Sequence, residues 1–134
     1  MVKIVIDTNV LFSGLFFGGT PKRILASALD GAHVVLLSEP MIDEYRRVII
    51  GFENAKKHTK VFSDVLNLLI ESATLVKPLA TPKICRDPND DMFIHCAVYG
   101  HADLIITGDN DLLVLKNVGP VAILTPDAFA KSFL

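Results

Sequence analysis

Four carboxylates stand where a chain of alternating strands and helices could gather them: Asp7 after an apolar run, Glu44 inside a helical segment, Asp91 opening another helix, and Asp109 just beyond a later strand. Two unit charges about 4 Å apart repel by roughly 4 kcal/mol at an effective dielectric of 20, so such acids stay ionised together only with cations among them. An all-oxygen donor set suits one or two Mg²⁺ or Mn²⁺ ions, whereas zinc prefers nitrogen and sulfur. Ions of this kind polarise a phosphoryl oxygen, lower the pKa of a bound water and, in pairs, clamp both oxygens of an in-line displacement. Metal-assisted phosphodiester hydrolysis is the reaction class these residue types serve.

The elements that must position them are legible in the hydrophobic pattern. Residues 2–6, 34–37, 104–106 and 121–124 are short, nearly continuous apolar runs, as expected of strands buried on both faces. Helices are predicted over residues 21–29, 39–50 with Ser38 as cap, 61–73, 90–98 and 126–133, and a further strand over 74–77. Pro40 suits a first helical turn. This alternation predicts an α/β fold, a three-layer α/β/α sandwich on a mostly parallel sheet of about five strands, with residues 1–134 as one domain.

In open α/β sheets, ligands bind beyond the carboxyl ends of the strands, where strand order reverses. Asp7 follows Ile6 at such an end, and Asp109 lies in the turn Thr107-Gly108-Asp109-Asn110-Asp111 after Ile106. If those strands are neighbours, the two acids face one another. Asp7 is also good N-cap chemistry for the turn that follows, a role compatible with ligation. In the run Asp87-Pro88-Asn89-Asp90-Asp91, the acids Asp87 and Asp90 read chiefly as capping and helix-dipole partners. Asp91 is the ligand candidate, because it shares a helical face with Ile94 and Val98. His95, one turn on, reads as a satisfied, partly buried histidine rather than a ligand. Glu44 flanks the apolar side formed by Met41, Tyr45, Val48 and Ile49, either as a surface acid paired with Arg47 or at a pocket rim.

Composition narrows the choice. A net charge of −2 and a pI near 6.0 lack the basic footprint of a protein held on nucleic acid by phosphate contacts alone. Acids neutralised by bound ions weigh little against a metal nuclease. The run Lys56, Lys57, His58, Lys60 reads as a solvated connector, and Arg46, Lys56, Lys57, Lys60 and Arg86 are the candidate contacts for nucleic-acid phosphates. Cys85 and Cys96 are too far apart for a CxxC pair and read as small buried hydrophobes. No apolar stretch approaches the ~20 residues of a membrane span, and no secretory leader is visible, which predicts a cytoplasmic protein with no membrane partner.

Taken in order, Val-Ile-Asp7-Thr8-Asn9-Val-Leu, Ser38-Glu-Pro-Met-Ile-Asp43-Glu44-Tyr, Arg86-Asp87-Pro88-Asn89-Asp90-Asp91-Met-Phe-Ile and Leu-Ile-Ile-Thr107-Gly108-Asp109-Asn110-Asp111-Leu-Leu resemble the PIN-domain ribonucleases, especially the VapC-like toxins of toxin–antitoxin pairs. The resemblance implies Mg²⁺- or Mn²⁺-dependent cleavage of RNA. It implies that Asp7, Glu44, Asp91 and Asp109 are the catalytic and metal-binding acids, with Asp111 a fifth and Asp90 an alternative to Asp91. Thr8, Asn9 and Thr107 would support them. An antitoxin partner and a homodimer joining two acidic pockets are implied as well. The apolar residues Leu11, Phe12, Leu15, Phe16 and Phe17 read equally as a contact surface or as core.

Three other readings fit parts of the pattern. A haloacid-dehalogenase-like phosphatase also places an Asp after the first strand, but needs a second Asp where Asn9 stands. A phosphoacceptor receiver domain would need adjacent acids after the first strand and a Lys after the fifth; Lys77 and Thr125 are misplaced for it. A non-catalytic PIN-like module binding RNA or protein is the third, disfavoured by the intact set of acids.

Overall fold

The computed structural model describes residues 1–56 and 61–134. Its strands are β1 (Lys3–Ile6), β2 (Val34–Leu37), β3 (Thr74–Leu75), β4 (Leu104–Ile106), β5 (Asn117–Val118) and β6 (Val121–Leu124). The helices are α1 (Thr8–Phe16), α2 (Gly19–Leu29), α3 (Glu39–Lys56), α4 (Val61–Ser72), α5 (Asp91–Tyr99), α6 (Asn110–Leu113) and α7 (Pro126–Phe133). A 3₁₀ turn over Pro88–Asp90 leads into α5.

Among the described residues the strands form one sheet in the order β3-β2-β1-β4-β6-β5, parallel except for the β5–β6 hairpin. The sheet therefore has six strands where the pattern suggested about five, because β5 is two residues long and carries no periodic signal. From β1 the chain steps outward through β2 to β3, then crosses back to β4 on the other side of β1. The right-handed rule for parallel crossovers, applied to steps in opposite directions, assigns α5 to the face opposite the first helices, in keeping with the expected three layers. The crossover also makes β1 and β4 neighbours, with Ile6 opposite Ile106. The strand order reverses at this point.

Ile4, Val5, Ile105 and Ile106 are fully buried at the sheet centre. Each such side chain contributes roughly 2–3 kcal/mol relative to exposure, so the strand ends at the reversal rest on the best-buried part of the molecule. Tyr45, also wholly buried, donates its hydroxyl to the Ile6 carbonyl and ties α3 to the end of β1. Helix α1 was not anticipated, since the residues after Asp7 read only as a turn. Gly14 faces α2 so closely that a Cβ there would stand 2.8 Å from the Pro21 carbonyl oxygen, and the helix tolerates glycine because that contact requires it. Helix α3 continues six residues past the expected Ile50. The segment 107–111, read as a turn, instead opens the one-turn helix α6.

Candidate acidic site at the sheet crossover

Asp7 leaves β1 with its amide donating to the Ile106 carbonyl at 3.0 Å, so its backbone is held in the sheet. One carboxylate oxygen caps α1 through the Asn9 amide at 3.1 Å, and the other accepts the Thr107 hydroxyl. Thr107 in turn accepts the Asp109 amide at 3.0 Å, and Asp109 caps α6 through the Asp111 amide at 2.9 Å. The ends of β1 and β4 are thereby locked by a chain in which each acid keeps acceptor capacity to spare. Burial raises the Asp7 carboxyl above its ordinary range; the Thr107 and Asn9 donors pull it down, and the charges of Asp109 and Glu44 push it up again. The helix-cap role considered for Asp7 is present in the geometry, and Asp109 and Glu44 lie near enough to act on its charge.

The third member comes from the 3₁₀ turn. Asp87 accepts the Asn89 amide at 3.0 Å, and the short turn delivers Asp90 into the crevice, 8% exposed. Ligand-competent oxygens of Asp90, Asp109 and Asp111 lie within 4.8 Å of one another, close to the roughly 4.2 Å that separates opposite ligands of one Mg²⁺. Asp90 Oδ2 is buried with no hydrogen-bond partner among the described residues. Burial first, then the Asp109 carboxylate, pushes the Asp90 carboxyl up to about 7. A buried carboxylate oxygen without a donor, beside two further acids, fits an all-oxygen cation site.

Asp91, the acid favoured at this place by helical phase, points elsewhere. Its carboxylate accepts the Cys85 amide at 2.6 Å and the Ile84 amide at 3.2 Å, on the segment preceding the turn. Burial would raise it, but the Cys85 and Ile84 amides outweigh that and hold it below the ordinary range. Asp91 and Ile94 are buried on the inward face expected of them, but Val98, placed on that same face, is 41% exposed. Inward at this point is under the segment before α5, while the 3₁₀ turn swings the preceding residue into the crevice. The Asx-Pro pair Asp87-Pro88 was the signal for that turn, because it starts a separate turn before the helix proper.

Glu44 sits at the rim, near enough to act on Asp7, and pairs with Arg47; both readings of it hold at once. Asp111 pairs with Arg86 at 3.2 Å. Thr8 is buried with its hydroxyl unpartnered among the described residues, and Asn9 is exposed. Arg46 lines a separate shallow cleft with Ile70 and Leu75. Lys56 ends α3, and Lys57, His58 and Lys60 lie outside the described residues. Cys85 and Cys96 are free and buried as expected, each thiol pushed up to about 12 chiefly by burial. His95 donates Nε2–H to the Pro82 carbonyl at 2.7 Å, which matches its reading as a satisfied histidine.

A family profile described as the PIN domain matches residues 3–111, the span that contains every acid of this cluster. The chain belongs to the PIN-domain family. This PIN domain is 32% identical to the uncharacterized protein MJ1680 of Methanocaldococcus jannaschii, over 98% of its own length and 92% of that protein's. Two solved structures share its fold. VapBC2 of Rickettsia felis, bound to a DNA fragment from its promoter, superposes with a TM-score of 0.63 at 9% identity over 92% of this chain and 98% of that one. PAE2754 of Pyrobaculum aerophilum gives 0.62 at 12% identity over 98% and 89%. PIN domains are generally nucleases, which agrees with clustered acids at the crossover. No helix among the described residues is long and apolar enough to cross a membrane.

Proposed function

We propose that this PIN domain is a metal-dependent endoribonuclease that hydrolyses RNA phosphodiester bonds at Asp7, Asp90 and Asp109, with Glu44 and Asp111 at the rim. The reading assigns to Asp90 the place that the sequence suggested for Asp91. The observation that carries it is the buried Asp90 carboxylate at the crossover, within reach of Asp109 and Asp111 and with one oxygen lacking a hydrogen-bond partner among the described residues. When bound, a Mg²⁺ or Mn²⁺ ion would polarise the phosphoryl oxygen and supply a nucleophilic water. The chain's own part is orientation: Thr107 fixes the Asp7 carboxylate, the Asp109 amide fixes Thr107, and Tyr45 anchors the strand end beneath them.

The family and the VapBC2-like fold support a toxin that is neutralised by an antitoxin, acts in the cytoplasm and works as a homodimer. Residues 1–134 would act as one domain, since β6 extends the sheet from β4 and α7 packs on α2 beyond the profile match. Incubation of labelled single-stranded RNA with Mn²⁺ or Mg²⁺ against EDTA, beside Asp90→Asn and a para-nitrophenyl phosphate control, tests the reading. Metal-dependent RNA cleavage that the variant loses is the expected result. Hydrolysis of the small phosphate alone would favour the phosphatase, and RNA binding without cleavage the non-catalytic module.

A further inference from the structure

Between β3 and α5, residues 76–87 cross the molecule without helix or strand, a long connection for a compact domain. Irregular segments of that length in ordered domains are commonly functional, and this one is fastened to α5 at two places. Asp91 accepts the Ile84 and Cys85 amides, and His95 donates to the Pro82 carbonyl one helical turn further on. Cys85 is buried beneath the strap, whereas its neighbours Ile84 and Arg86 are exposed. The residue directly after this clamp is Arg86, whose guanidinium reaches across to Asp111 at 3.2 Å, at the edge of the acidic cluster. Its side chain remains 86% exposed, so most of its donors face solvent beside the site.

We propose that Asp91 is a positioning residue: it clamps the 76–87 strap by the Ile84 and Cys85 amides and so sets Arg86 at the lip of the acidic cluster, where Arg86 grips an RNA phosphate. This rests on the nuclease reading only for the identity of the ligand. A guanidinium suits the task because it presents a planar fork of donors to phosphate oxygens and stays charged at any working pH. The acidic crevice repels RNA, and a cation fixed at its edge by the backbone, rather than left on a free loop, is placed to offset that repulsion. Adjacent carboxylates thus divide the work, with Asp90 turned into the crevice and Asp91 fixing the cation that guards it.

Anisotropy of a fluorescein-labelled single-stranded RNA, titrated with protein at several salt concentrations, reads the proposal without requiring cleavage. Arg86→Ala is expected to weaken binding about tenfold and to flatten the dependence of log K on log salt by about 0.7, the loss of one phosphate contact on a single strand. Asp91→Ala should reproduce both changes, and the double variant should be no worse than either single one. Asp91→Asn, which keeps a carbonyl acceptor, should recover most of the affinity. Hydrogen exchange should show the Ile84 and Cys85 amides protected in the parent and in Arg86→Ala, and exposed in Asp91→Ala. If Asp91→Ala does not fold, His95→Phe releases the Pro82 anchor and should give the same flattening to a smaller degree.

Unchanged salt dependence in Arg86→Ala, or multiplying effects in the double variant, would overturn the proposal while leaving RNA cleavage intact. A parent protein that binds RNA with these signatures but never cleaves it would sink the nuclease reading and leave the strap's role standing.

Discussion

Asp90 and Asp91 are consecutive residues of one chain, yet they belong to two regions that handle negative charge in opposite ways. Asp90 lies beside Asp109 and Asp111 with one oxygen lacking a partner among the described residues, and burial together with its neighbours raises its carboxyl to about 7. Asp91 faces backbone amides, and against the cost of burial they lower its carboxyl. Asp91 spends its charge on holding a backbone segment, while the charge of Asp90 is crowded by other carboxylates and has no such donor among the described residues. Type and position along the chain do not distinguish the two; the surroundings do.

The sharpest way to break this comparison is cleavage at saturating Mn²⁺. Asp90→Asn is expected to lose about 10³-fold in kcat/KM, the several kcal/mol that a Lewis-acid contact supplies, and Asp91→Asn less than tenfold. Equal losses would mean that both acids ligate. Urea unfolding in metal-free buffer should then divide them the other way. Asp91→Ala leaves two amides without an acceptor and is expected to lose about 2 kcal/mol, whereas Asp90→Asn and Asp7→Asn should hold or gain stability as like-charge repulsion is relieved.

The pH dependence of melting in EDTA sharpens the contrast further. Asp90 binds its proton more tightly folded than unfolded, so its favourable contribution is complete below about pH 4 and is lost as pH rises through about 7. Asp91 has the opposite sign: its contribution is present above its ordinary range and is lost as pH falls through its depressed value. The parent should therefore melt lower at pH 8 than at pH 5, and Asp90→Asn should flatten that slope; a slope unchanged in the variant would place the titration elsewhere. The smallest expected effect concerns the footing shared by the site. Tyr45→Phe removes the bond to the Ile6 carbonyl and should cost about 1 kcal/mol by urea titration without abolishing metal-dependent cleavage.

Much of the frame was legible because burial on both faces leaves a continuous apolar run, and β1, β2, β4 and β6 all have one. The Thr107–Asp111 turn and the Asp after the first strand likewise marked the crossover. Elements whose residues answer to a distant contact were not legible. Gly14 lowers helix propensity, and its place in α1 follows only from the Pro21 carbonyl packed against it, while β5 exists through pairing with β6. The strap had no periodicity to betray it, because its bonds run to side chains on α5.

By itself, then, the sequence determined which strands are buried, where the acids fall relative to their ends and which family their ordered motifs match, since these depend on residue type and local period. Only the tertiary structure decided which of two adjacent aspartates enters the crevice, because the direction of Asp90 is set by a 3₁₀ turn and that of Asp91 by amides six and seven residues away, on a segment that folds back over the helix.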